Sequence, residues 1–139
     1  MAEPPKPKPS SPERSRIMRS VPRRDTTPER ALRSALHAAG LRFRLHRGSL
    51  PGSPDIVFPA AKLVVFVHGC FWHRHEGCRR ATFPKTNQDY WTQKFAANRE
   101  RDARKVQQLT ELGWRVMVVW QCQIDEDVAG VVRAICEAL

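Results

Sequence analysis

Apolar positions along the chain change period several times, and each change marks an element. From Thr27, the residues Ala31, Leu32, Ala35, Leu36 and Ala39 recur at helical spacing up to Gly40. Thr27 is placed to cap this helix and Pro28 suits its first turn. Leu41, Phe43 and Leu45 then alternate with Arg42, Arg44 and His46, the period-two signature of a half-buried strand. Gly48 to Pro54 is rich in turn residues, and a short strand is expected over Asp55 to Phe58. Lys62 to Val67 is an unbroken apolar and β-branched run, as in a strand covered on both faces. Residues 68–90 have no period, and so long an irregular stretch is uncommon in a compact domain unless something pins it. A charged helix carrying Phe95, Arg99, Asp102, Val106 and Leu109 ends near Leu112 and Gly113. A strand over Trp114 to Trp120 and a helix from about Asp125 to Ala138 close the pattern, with no internal repeat. The order α, β, β, β, α, β, α predicts an α/β fold. Its mixed sheet is flanked by helices and has a parallel crossover between Lys62 and Trp120.

Charge changes the picture. The 139 residues suit one domain, yet they carry a net charge of +10. Such an excess attracts a polyanion such as DNA whatever its sequence. Half of it falls in residues 1–24, where Lys6, Lys8, Arg14, Arg16, Arg19, Arg23 and Arg24 face only Glu3 and Glu13. Six of the 11 prolines lie there too, so residues 1–24 are expected to be a basic arm, disordered when free, ahead of a domain over 25–139. Ile17 and Met18 either enter a groove of DNA or ride on a solvated tail. No apolar run is long enough to span a membrane and no secretory signal opens the chain. A monomer in a reducing cytoplasm is expected, without disulfides.

The irregular stretch contains His68-Gly69-Cys70-Phe71-Trp72-His73-Arg74-His75-Glu76-Gly77-Cys78, with three of the five histidines and two of the four cysteines. Thiolate and imidazole are the donors that tetrahedral Zn2+ prefers, so Cys70, His75 and Cys78 form a candidate structural zinc site. The spacing equally admits His73 in place of His75. Cys122, just past the second long strand, is the best fourth donor and would tie the loop to the sheet edge. Cys136 is expected to be a small core residue on the last helix.

If His75 binds zinc, His68 and His73 remain for proton transfer. Asp55 is the single carboxylate between Glu29 and Glu76, and it is expected at the same sheet edge as His68. A hard cation such as Mg2+, held by a carboxylate and a backbone carbonyl beside a histidine, is minimal equipment for phosphodiester hydrolysis. The plainer reading makes Asp55 a turn residue. Phe71, Trp72 and Trp91 either wedge between base pairs or cover the zinc site.

Four strings agree in order and spacing: L-P-G-S-P-D ending at Asp55, H-G-C-F-W-H-R-H-E-G-C, Asn98-x-x-Arg101-Asp102, and L-G-W-R-V followed by V-W-Q-C. From about Ser15 to Cys122 the chain thereby resembles the very short patch repair endonucleases. These nick DNA beside the thymine of a T:G mismatch left by deamination of 5-methylcytosine. The resemblance implies a restriction-endonuclease-like core with Asp55 as the magnesium ligand, aided by the main-chain carbonyl of Val67. It implies His73 as the group handling the proton of the attacking water, with His68 and Glu29 in supporting catalytic positions. Zinc would be held by Cys70, His75, Cys78 and Cys122. Phe71, Trp72 and Trp91 match intercalating aromatics, the arm with Met18 matches one that clamps the opposite groove, and Lys94 and Asn98 match positions near the mismatch.

The expectation is therefore a magnesium-dependent, zinc-stabilised mismatch endonuclease that hands its nick to repair proteins. Two rivals stand beside it. One is a non-catalytic zinc-stabilised DNA-binding module, and the other is a nuclease of the same fold acting on a different mismatch or site.

Overall fold

The most apolar run of the chain becomes the centre of the sheet. In the computed structural model, which describes residues 26–139, a helix α1 (Thr27–Ala38) is followed by strands β1 (Arg44–Leu45), β2 (Ile56–Phe58) and β3 (Leu63–His68). Helix α2 (Gln88–Glu111), strand β4 (Arg115–Trp120) and helix α3 (Gln121–Ala138) complete it. The arm expected over residues 1–24, with Met18, lies outside the described residues. The predicted element order holds.

The sheet runs β1-β2-β3-β4, antiparallel across the first two pairings and parallel between β3 and β4. The mixed sheet and the parallel crossover are therefore as expected. Alternation along β3 builds the layers. Leu63 and Val65 join Leu32, Leu36, Ile124, Val131 and Ile135 on the face covered by α1 and α3. Val64 and Phe66 join Val57, Leu109 and Trp114 on the face covered by α2. Each fully buried aliphatic side chain contributes roughly 1.5–3 kcal/mol, so this two-sided burial of β3 anchors the fold.

Four details differ from the sequence pattern, each for a local reason. The α1 cap is Thr26 rather than Thr27, with its hydroxyl accepting from the Glu29 N–H at 3.4 Å. The strand expected over Leu41–Leu45 is reduced to two residues, and Leu45 is 43% exposed. The chain leaves the sheet at His46, which adopts the left-handed φ of 43°. Helix α3 starts earlier than expected, directly after β4, because Cys122 and Ile124 have core to fill. It kinks at Asp127, whose Oδ1 accepts from the Gly130 N–H at 3.0 Å and caps the second segment. Finally, Cys136 is exposed, not a core residue. Val131 and Ile135 already face the sheet, and one further residue rotates about 100° away from that line.

The α3 phase yields a test. Ile135→Ala should lower unfolding stability by about 2–5 kcal/mol, whereas Cys136→Ser should stay within about 0.5 kcal/mol of the native chain. Chemical denaturation of both variants measures the contrast.

Candidate active site

Because β2 is short, Val67 and His68 extend beyond it and pair only with Val119 and Trp120 of β4. Their backbone groups on the β2 side are thus open to other partners, and Asp55, just before β2, takes one of them. Its Oδ2 accepts from the Val67 N–H at 2.7 Å. The Asp55 carbonyl accepts from the His46 N–H at 3.3 Å, and the turn at His46 aims the imidazole inward. His46 Nδ1 lies 3.8 Å from Asp55 Oδ1, and its Nε2 lies 3.6 Å from Glu29 Oε2 in the first turn of α1. Glu29 is buried. Burial pushes the Asp55 carboxyl above its ordinary value, opposed by the Val67 hydrogen bond and by positive charge on His46, His73 and Lys105.

A second group adjoins the first. His73 Nδ1 lies 2.6 Å from Asp102 Oδ2 on α2. Burial works to raise the Asp102 carboxyl, yet the His73 bond and the neighbouring positive charges prevail and hold it below the usual range. An ionised carboxylate only accepts, so the Nδ1–H of His73 points at Asp102 and Nε2 lies on the far side of the ring. His68, at the end of β3, stacks on His73 with ring centroids 3.9 Å apart. Its pKa is lowered to about 4 by burial first, then by charge on His73 and Lys105, with Asp102 opposing. One turn after Asp102, Lys105 lays its stem over Gly52, where an added Cβ would fall 2.5 Å from Lys105 Cδ. Gly52 also has φ +75°, so glycine is required there on both counts.

The four zinc candidates converge as well. One donor atom from each of Cys70, His75, Cys78 and Cys122 lies within 4.8 Å of the others. The pairing of His68 with Trp120 explains this, since Cys70 and Cys122 each follow two residues later. His75 stacks on Trp120 at 4.2 Å and approaches Cys122 Sγ at 3.4 Å, so His75 and not His73 joins this group. Burial, and then the neighbouring thiols Cys70 and Cys78, push Cys122 up to about 12. A buried thiol that resists ionising, set among three further sulfur and nitrogen donors, is what a bound dication relieves, so the donor set fits a metal.

Phe71 and Trp72 lie between these groups and are half-buried. Trp91 is 6% exposed beneath them, 5.7 Å from Phe71 and 5.8 Å from Trp72 between ring centroids. In this form only Phe71 and Trp72 present surface. The loop is held by Arg74, whose guanidinium donates to the carbonyls of Phe71, Ala81 and Thr82 and sits 4.1 Å over Phe95. Asn98 donates to the Trp72 carbonyl at 3.3 Å and accepts from Arg101 at 2.7 Å. Lys94 lies one turn earlier on α2.

Asp102, His46 and Lys105 are the site residues that pattern reading leaves without a role. Asp102 had a signal, because it falls on the heptad line of Phe95 and Leu109, both buried, where a carboxylate needs a partner. His46 had none, since alternation groups it with Arg42 and Arg44.

Comparison with known proteins identifies relatives of the chain. A family model for the DNA mismatch endonuclease Vsr matches residues 9–80. The type II nicking enzyme V.XorIIP of Xanthomonas oryzae pv. oryzae is 58% identical over 84% of this chain and 85% of its own length. The DNA mismatch endonuclease Vsr of Escherichia coli is 46% identical over 80% of this chain and 70% of its own. The type II nicking enzyme V.NaeI of Lentzea aerocolonigenes is 43% identical over 96% of this chain and 80% of its own.

The buried His68 gives a pH signature. An unfolded chain binds its proton near 6.5 and the folded one near 4, so the unfolded state holds more protons in between. The stability that neutral His68 contributes is therefore lost as pH falls from about 6.5 to about 4. NMR titration of the ring should give a midpoint near 4, and a midpoint at 6.5 contradicts the assignment.

Proposed function

The chain belongs to the Vsr DNA mismatch endonuclease family, and from this we propose that it is a DNA endonuclease nicking one strand beside the thymine of a T:G mismatch. The observation that carries the proposal is the 2.6 Å pair of His73 and Asp102, with His68 stacked on the imidazole and the Asp55 group alongside. A module that only binds DNA has no use for a base oriented by a carboxylate.

His73 takes the proton of the attacking water at Nε2, while Asp102 fixes the tautomer and steadies the imidazolium that results. Neutral His68 packs against His73 without adding a competing charge. Asp55, with the Val67 carbonyl, holds the divalent cation, for which Mg2+ is the expected species, and Glu29 supports it from α1. Negative oxygens drawn together in a half-buried pocket support that reading. A cation bound there supplies charge stabilisation to the phosphate oxygens as the ester bond breaks.

Structural Zn2+ is proposed at Cys70, His75, Cys78 and Cys122, keeping the loop of His73 in register with the sheet. Phe71 and Trp72 are the wedges that test the weakened stacking of a mismatch, with Trp91 bracing them from below. Lys94 and Asn98 line the neighbouring face of α2, and the arm with Met18 reaches the opposite groove. A sheet covered by helices on both faces fits a restriction-endonuclease-like core. A monomer acting on the nucleoid in a bacterial cytoplasm, passing its nick to repair proteins, completes the proposal. Among the described residues, no helix is long and apolar enough to cross a membrane.

Two measurements check this. With Mg2+ and a panel of T:G, other mismatched and fully paired duplexes, the native chain should nick the T:G strand selectively. Asp55→Ala and His73→Ala should each slow nicking by roughly 10²–10⁴-fold. Equal cutting by all three proteins ends the catalytic assignment, and equal cutting of all duplexes ends the specificity. Elemental analysis should find zinc in the native chain and its loss in Cys78→Ser, together with a lower melting temperature, as expected when a structural metal supplies on the order of 10 kcal/mol. Full zinc content in that variant removes Cys78 from the set.

A further inference from the structure

His46 is the group at the site that the proposed mechanism leaves unused, and its setting is specific. Its two ring nitrogens face two carboxylates, Nδ1 toward Asp55 Oδ1 at 3.8 Å and Nε2 toward Glu29 Oε2 at 3.6 Å. One donor atom from each of the three residues lies within 4.8 Å of the others. All three side chains are mostly shielded, at 14% exposure for His46, 5% for Glu29 and 16% for Asp55. The backbone is bent to achieve this, with His46 at φ 43° and its N–H on the Asp55 carbonyl. Asp55 Oδ2 is already taken by the Val67 N–H, which leaves Oδ1, the atom facing the imidazole.

We propose that His46 is a nitrogen ligand of a divalent-cation site shared with Asp55 and Glu29, and that this nitrogen lets the site bind a first-row transition dication such as Mn2+ more tightly than the Mg2+ that serves the proposed reaction. The proposal rests on the reading of Asp55 as the cation ligand and extends it to a donor set and a metal class. Two donors at right angles on one cation sit about 3 Å apart when each bond is about 2.1 Å. The 3.8 Å between His46 Nδ1 and Asp55 Oδ1 thus closes with a small ring movement. Two carboxylates match the charge of a dication. The imidazole decides between metals, because Mg2+ demands oxygen donors and retains its waters, whereas transition dications accept nitrogen with affinity that rises along the series.

The test uses the full chain, without DNA and with its structural metal in place, and Mn2+ as the probe. Electron spin-echo measurements on bound Mn2+ should show nitrogen modulation from a coordinated imidazole. His46→Gln and His46→Asn should lose that modulation and bind Mn2+ at least about tenfold more weakly, while Mg2+ affinity measured by competition moves less than about twofold. Thermal unfolding verifies that the variants are folded, and the native spectrum stands on its own if one of them is not. Modulation absent from the native chain, or unchanged in the variants, overturns the role of His46 and leaves Asp55-dependent binding standing. If Asp55→Asn binds Mn2+ as well as the native chain, or the native chain binds none, the cation site itself is lost and both readings fall.

Discussion

The parallel pairing of β3 with β4 is the constraint from which the site follows. Its register sets His68 opposite Trp120, so both strands end at the same level and both chains leave the sheet side by side. From one end departs the loop with Cys70, His73, His75 and Cys78, and from the other the helix that opens with Cys122. Two thiols at equal offsets from a paired couple are brought together by the ladder itself. A slip of that register would separate them and turn His68 away from His73. Burial on both faces of β3 makes such a slip expensive, so the stability of the core and the geometry of the site have one origin.

Electrostatics then divides the neighbourhood. Two carboxylate points near the sheet end, Glu29 with Asp55 and, separately, Asp102, each have a histidine set against them. Asp102 is held ionised by His73, and His68 is held neutral by burial, so adjacent imidazoles differ in what they can do. Lys105 contributes a field to Asp55, His68 and Asp102 alike, from a stem seated on Gly52. The glycine in the turn before Asp55 is thus part of the charge arrangement, although it carries none.

Much of this was legible in the order of residues. The period-two and continuous runs located the sheet, and Cys70, His75, Cys78 and Cys122 announced their grouping by chemistry and spacing. Residues whose role depends on a single backbone angle were not legible. His46 belongs by alternation with Arg42 and Arg44, and only a left-handed turn redirects it, which no periodicity encodes. The exposure of Leu45 has the same cause. Asp102 sat in plain view on the line of Phe95 and Leu109, and the partner it needed comes from a loop 29 residues away in sequence. Cys136 shows the complementary limit, since helix phase is judged from its best apolar neighbours and one residue off that line changes the side it faces.

Arg74 has a further consequence. With φ at 54° and its guanidinium bonded to three carbonyls while lying on Phe95, it fastens the segment bearing Phe71 and Trp72 at both ends. The entropy of arranging those rings is settled during folding rather than at encounter. If Phe71 and Trp72 meet DNA as proposed, rings mounted so firmly adapt little, and selectivity there rests on how readily the opposing duplex deforms.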